Sequence, residues 1–184
     1  IYDYINKIGG HAVMTASTHE RASDRTAEAM IKIEQQTGRG IDIVVMVQGD
    51  EPLVTPTMIS SSIEPFSDPS VEVVNLMAEI TNDSDFEDSN EIKVVVNDNN
   101  DAIYFSRSPI PSRTREVLGG FSRFKQVCII PFRRDALIEF NSMSESPLEI
   151  SESIDMLRLI EIGKKVKMVP IDEQSFSVDT EERR

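Results

Sequence analysis

The sequence predicts an α/β fold of three layers, a mixed sheet between two layers of helices, and three observations carry that expectation. Runs of β-type residues alternate with helical ones along most of the chain. The most continuous β-branched run, residues 41–47, stops abruptly at Gln48-Gly49-Asp50-Glu51-Pro52, which is the pattern of a fully buried central strand of the kind found in parallel sheets. Residues 91–96 and 102–106 flank Asn97-Asp98-Asn99-Asn100-Asp101, a run of turn formers that marks a hairpin and makes the sheet mixed.

Taken in order, the chain opens on an amphipathic helical pattern that Gly9-Gly10 terminates. No capping residue and no initiating Met precede it, so a longer chain is expected. Residues 11–15 read as a short strand and 16–22 as a polar loop. Ser23 or Asp24 can cap a helix running to about Thr37, with Gly38 and Gly40 as its stop. Ala27, Met30, Ile31 and Ile33 give that helix a partial apolar face. The central strand follows, then a helix over 56–66 with Pro56 in its first turn. Residues 71–80 are a strand, and 81–91 an acidic loop or short helix facing solvent. After the hairpin, residues 108–120 hold two prolines, two arginines and two glycines, the composition of a mobile loop. A strand over 125–132 leads directly into a helix at 133–141. Ser146-Pro147 opens a second, longer helix with Ile150, Ile154, Leu157 and Ile160 on one helical period. Residues 166–170 form a short strand, and 177–180 begin a last helix.

At 184 residues the chain fits one domain (1–184) with a sizeable core. A formal net charge of −13 disfavours a nucleic-acid partner. A small anionic substrate fits only where a metal or a local Arg/Lys cluster offsets that field. One cysteine, Cys128, allows no internal disulfide and suits a reducing cytoplasm. No apolar stretch approaches a membrane span. There is no Walker A loop and no GxGxxG, and two histidines with one cysteine do not give zinc spacing or a Cys/His nucleophile.

The strand stop at 48–52 carries the first chemical hint. Open α/β sheets place their ligands beyond the carboxyl ends of strands. Carboxylates there, with no adjacent Lys or Arg in sequence, suit a divalent cation. Asp50 and Glu51 are equally ordinary turn formers after a strand.

Five segments in fixed order sharpen this. They are Val13-Met14-Thr15 with Ser23-Asp24-Arg25; Gln48-Gly49-Asp50-Glu51-Pro52; and Tyr104-Phe105-Ser106-Arg107 with Ile110-Pro111. Ser146-Pro147-Leu148-Glu149 with Glu152-Ser153 and Leu157-Arg158 is the fourth, and Val178-Asp179-Thr180 the fifth. Together they resemble the 3-deoxy-manno-octulosonate cytidylyltransferases (CMP-Kdo synthetases) over essentially the whole chain. The resemblance implies a nucleotide-diphospho-sugar transferase-like α/β/α fold with a hairpin and loop insertion. It implies transfer of CMP from CTP to a 3-deoxy-ulosonic acid, Kdo or Kdo-like, for bacterial surface polysaccharide, with pyrophosphate released. A related enzyme for another nonulosonic acid, or a non-catalytic protein of the same fold, are the alternatives.

By the same resemblance, Asp50 and Asp179 are the catalytic carboxylates and bind Mg²⁺. Ser23, Arg25 and Gln48 lie on the nucleotide side. Gln48, Arg107, Gln126 and Glu149 lie on the sugar side, and a cytoplasmic homodimer is implied. Taken singly, Asp179 can also be a helix cap, Ser23 and Arg25 a surface helix start, Arg107 a solvated loop arginine, and Glu149 a first-turn Glu favoured by the helix dipole.

Three departures bear on the sugar. Gln126-Val127-Cys128-Ile129-Ile130 stands where the family carries a His…Gly-Ile-Tyr-like segment, which removes an imidazole and an aromatic hydroxyl. Ile150 stands where the family has Gln. Cys128, in place of a glycine, reads as a small packed residue. The family's first strand and its phosphate loop precede the region matching Ile1. The chain by itself is therefore expected to lack part of the triphosphate cradle and to be an incomplete enzyme.

Overall fold

The computed structural model describes residues 1–112 and 121–172. In chain order the elements are α1 (Tyr2–Lys7), α2 (Ala22–Thr37), β1 (Ile43–Val47), α3 (Pro56–Ile63), β2 (Val74–Glu79), α4 (Asp83–Glu87), β3 (Lys93–Val96) and β4 (Ala102–Ser106). They continue with β5 (Phe124–Val127), β6 (Ile129–Arg133), α5 (Arg134–Ser142), α6 (Pro147–Glu152), α7 (Leu157–Glu161) and β7 (Lys167–Ile171).

Five strands form a sheet in the order β4-β3-β5-β2-β7, with β2 and β7 parallel and the other pairs antiparallel. β1 and β6 pair antiparallel beside it, and a bridge between Val73 and Phe132 joins the two ladders. The result is the mixed sheet expected from the hairpin. Helices cover both faces. On one, Met30 of α2, Leu137 and Phe140 of α5 and Leu157 of α7 pack against Met46, Met77, Phe105, Ile130 and Phe132. On the other, Met58 of α3 meets Leu76, Ala78, Val127 and Ile129. Alternation along β2 (Met77 to one face, Leu76 and Ala78 to the other) is the period-two signature of a strand buried on both sides.

Local chemistry explains most element ends. Gly38 takes φ 66° and returns its N–H to the Glu34 carbonyl, 2.9 Å away, closing α2. Thr55 caps α3 through the Met58 N–H, with Pro56 in the first turn. In the hairpin turn the Asn97 side chain accepts the N–H groups of Asn99 and Asp101, both at 2.9 Å.

Several expectations are corrected. Among the described residues β1 pairs with β6, antiparallel, and Val47 is exposed. Residues 11–15 form no ladder. Their polar groups are met instead by helix side chains, as when Lys32 Nζ donates to the Met14 carbonyl at 2.8 Å. The N-cap of α2 is Arg21, and Ser23 is buried inside the first turn with its hydroxyl directed to Asp155. The single strand expected over 125–132 is two strands broken at Cys128. The long helix expected from Ser146 is likewise two, because Ser153 turns left-handed (φ 54°) between α6 and α7. The last helix and much of the expected mobile loop (113–120) lie outside the described residues. Among the described residues no helix is long and apolar enough to cross a membrane.

Candidate active site

β1 ends at a cleft of about 520 Å³, and the two breaks that periodicity misses form its other walls. One wall is the turn carrying Gln48, Asp50 and Glu51. Opposite lie Asn90, Glu91 and Arg107; Gln126, Cys128 and Ile130 form the floor. The link between α6 and α7, including Ser153 and Asp155, closes the far side beside Arg21.

The turn after β1 is locked to the strand break. Gln48 N–H donates to the Cys128 carbonyl at 3.2 Å, and the buried Glu51 carboxylate accepts the Cys128 N–H at 2.9 Å. Glu51 is therefore a backbone anchor. Asp50 is different: its Oδ1 is buried with no hydrogen-bond partner among the described residues. A buried carboxylate oxygen left without a donor is costly unless a cation or ligand completes it. No group of three His, Cys, Asp or Glu able to hold a metal occurs among the described residues. A hard divalent cation such as Mg²⁺ is commonly held by just one or two carboxylates, with substrate phosphates and water as its other ligands.

Arg107 organises the opposite wall. Its Nε donates to the Glu152 carbonyl at 2.7 Å, and its terminal nitrogens reach the carbonyls of Ser89 (3.0 Å) and Ser153 (3.4 Å). Its backbone N–H donates to the Glu152 carboxylate at 2.9 Å, which also takes the Ser106 hydroxyl. The guanidinium thus ties the end of β4 to the loop before β3 and the exit of α6. That loop is held from beneath by the fully buried Lys93, whose ammonium donates to the carbonyls of Asp88 (2.7 Å) and Glu91 (2.6 Å) while burial pushes its pKa down. Arg107→Lys keeps the charge but loses the fork. We expect it to cost about 1–3 kcal/mol of stability, read by urea unfolding.

Glu149, expected on the sugar side, is not among the residues that line the cleft. Its side chain has no exposed surface, and both oxygens accept from Arg158, at 2.7 and 2.6 Å. It also completes a capping box with Ser146. Ile150 is 61 % exposed and lies outside the cleft, so its departure from the family pattern changes no cleft wall. Arg25 also lies outside the cleft, where its guanidinium gathers Thr15 Oγ1 and the carbonyls of Ala16 and His19. Ser23 is absent from the cleft lining and is linked to it through Asp155, with Oγ to Oδ2 at 3.4 Å. Gln48, Asp50, Arg107 and Gln126 do line the cleft. Asp179 lies outside the described residues.

Sequence reading missed Arg21, Asp155 and Asn75. The carboxylate that α6 and α7 present to the cleft is Asp155, because the left-handed turn at Ser153 redirects the chain; no glycine marks that turn. Arg21 pairs with Asp155 at 3.1 Å and with Glu145 at 2.7 Å. Burial pushes the Asp155 carboxyl above its usual range, against the pull of Arg21. With the folded pKa above the unfolded one, ionised Asp155 weakens the fold at neutral pH. That cost is relieved as pH falls through the folded value and vanishes below about pH 4. Asp155→Asn is therefore expected to raise the thermal midpoint at pH 7 and to lose the advantage toward pH 4. A variant less stable than wild type at pH 7 would show that the Arg21 pair outweighs burial.

The mixed sheet with helices on both faces, and the carboxylate-bearing cleft at the end of one strand, belong to a nucleotide-sugar transferase fold by their close match to a solved structure of that kind. The cytidylyltransferase family profile matches residues 1–166, and the chain belongs to that family. It is 39% identical over 185 residues to a 3-deoxy-manno-octulosonate cytidylyltransferase of Flavobacterium johnsoniae, covering 99% of this chain and 73% of that one. A protein of the same name from Fusobacterium nucleatum is 36% identical over 99% of this chain and 72% of its own. Among solved structures, a CMP:2-keto-3-deoxy-manno-octonic acid synthetase complexed with CTP superposes with a TM-score of 0.85 at 34% identity, over 97% of this chain and 70% of that one.

Proposed function

We propose that the protein transfers CMP from CTP to the anomeric hydroxyl of a 3-deoxy-ulosonic acid, Kdo or a close relative, releasing pyrophosphate. The observation that carries this reading is the buried Asp50 oxygen at the cleft, without a hydrogen-bond partner among the described residues, in a chain of the cytidylyltransferase family. The sugar hydroxyl oxygen forms a bond to the α-phosphorus while the bond from that phosphorus to the bridging oxygen of the β-phosphate breaks. Its proton passes to a base or solvent, and pyrophosphate leaves. Charge builds on the phosphoryl oxygens, and a protein of net charge −13 is poorly suited to neutralise it without help.

Asp50 is the described residue that would hold Mg²⁺, and Asp179 is proposed as its second carboxylate. The metal, when bound, would neutralise phosphate charge. This chain's own residues shape the rest. Gln48 and Gln126 offer polar groups to the sugar, and Arg107 holds the wall that faces them. The setting proposed is the cytoplasm, where CTP is available, and the assembly a homodimer, which light scattering would check.

The test is pyrophosphate release from full-length protein with CTP, Mg²⁺ and a panel of ulosonic acids. Release with Kdo supports the reading; no release with any sugar overturns it.

A further inference from the structure

β2 carries one polar residue where its apolar pattern calls for a hydrophobic one. Asn75, fully buried, sits in Val-Val-Asn-Leu-Met on the face that Met77 also uses. Its Nδ2 donates to the carbonyls of Val127 (2.7 Å) and Leu76 (3.0 Å), with the Ile129 carbonyl at 3.5 Å. The carbonyls of Val127 and Ile129 flank Cys128, the point where β5 gives way to β6 in the cleft floor. Asn75 Oδ1 accepts from Nε2 of Gln126.

Backbone carbonyls only accept, so they settle which end of the Asn75 amide faces them. The NH₂ group must point at the strand break, which leaves Oδ1 toward Gln126. Oδ1 in turn only accepts, so the NH₂ of Gln126 must face it. The remaining Gln126 oxygen, Oε1, has no donor among the described residues, and Gln126 lines the cleft. The polarity of an otherwise freely rotating amide is thereby dictated by two main-chain carbonyls, one residue removed.

We propose that Asn75 is a positioning residue that fixes Gln126 with its carbonyl oxygen toward the substrate, so that Gln126 selects a hydroxyl donor on the sugar. A carboxylate or an ether oxygen at that point would face an acceptor with an acceptor. This deepens the cytidylyltransferase reading and rests on it for the identity of the ligand.

Two measurements test it. In ¹⁵N-labelled full-length protein without substrate, the Gln126 side-chain amide is assigned by its loss in Gln126→Met. One Nε2 proton is expected downfield and protected from exchange in wild type, and at ordinary glutamine values in Asn75→Val. Ordinary values in wild type, or unchanged values in Asn75→Val, overturn the proposal. In steady-state kinetics, Gln126→Met is expected to raise the KM for the sugar by about tenfold while the KM for CTP moves less than twofold. Asn75→Val should shift it the same way, with the double variant no worse than the worse single one. Additive losses, or an equal rise in both KM values, overturn it. Wild-type protein that releases no pyrophosphate refutes the cytidylyltransferase reading, and the amide spectrum then decides the positioning role alone.

Discussion

Asp50→Ala is expected to reduce pyrophosphate release by roughly a thousandfold or more, equivalent to several kcal/mol of lost transition-state charge stabilisation. The fold should not suffer. Asp50 Oδ1 makes no hydrogen bond among the described residues, so its removal relieves an unsatisfied buried oxygen instead of breaking a bond. The variant should therefore unfold at the same urea concentration as wild type or a higher one. This combination separates a ligand-holding carboxylate from a structural one. Loss of turnover with a matching loss of stability would assign Asp50 to the turn; unchanged turnover would remove it from the chemistry. Titration of activity with Mg²⁺ supplies a second readout, since Asp50→Asn should raise the concentration needed for half-maximal rate.

The second large effect is expected at a residue that the family resemblance assigns to the sugar side. Glu149 and Arg158 form a bidentate pair with both side chains buried. Arg158 also donates to the Phe140 carbonyl at 2.9 Å and lies over the Phe140 ring at 4.2 Å. The pair thus joins α6, α7 and the end of α5. Removing one partner leaves a charge buried without compensation, and Glu149→Ala is expected to cost about 3–5 kcal/mol in equilibrium unfolding. Replacing both with apolar residues of similar size, Glu149→Met with Arg158→Leu, should recover much of that loss. A Glu149→Ala protein that folds with wild-type stability but has a raised sugar KM would return Glu149 to the binding surface.

Much of the architecture is legible in local chemistry. Thr55-Pro56 starts α3, Gly38 stops α2, and the Asn-rich run turns the β3–β4 hairpin, because each depends on atoms within a few residues. The place of Gln48 and Asp50 at the cleft is legible for a similar reason: a β-branched run ending in Gly and Pro places polar side chains at a strand's carboxyl end whatever its neighbours are. The breaks at Cys128 and Ser153 are not legible. Val-Cys-Ile continues a strand pattern as well as any triplet. What interrupts it is the Glu51 carboxylate capturing one N–H and the Asn75 amide capturing two carbonyls, from segments about 75 and 50 positions earlier in the chain. Ile150, Ile154, Leu157 and Ile160 keep a helical period, yet Arg107 takes the carbonyls of Glu152 and Ser153 where α6 ends.

By itself, then, the sequence determined the α/β class, most element positions, the family and the strand end that bears Asp50, since all of these follow from short-range pattern and ordered motifs. Only the tertiary structure decided that Glu149 is an internal ion-pair partner, that Asp155 and Arg21 reach the cleft, and that β1 pairs antiparallel with β6. These turn on which side chain finds a buried partner across a long stretch of chain, and periodicity carries no record of that.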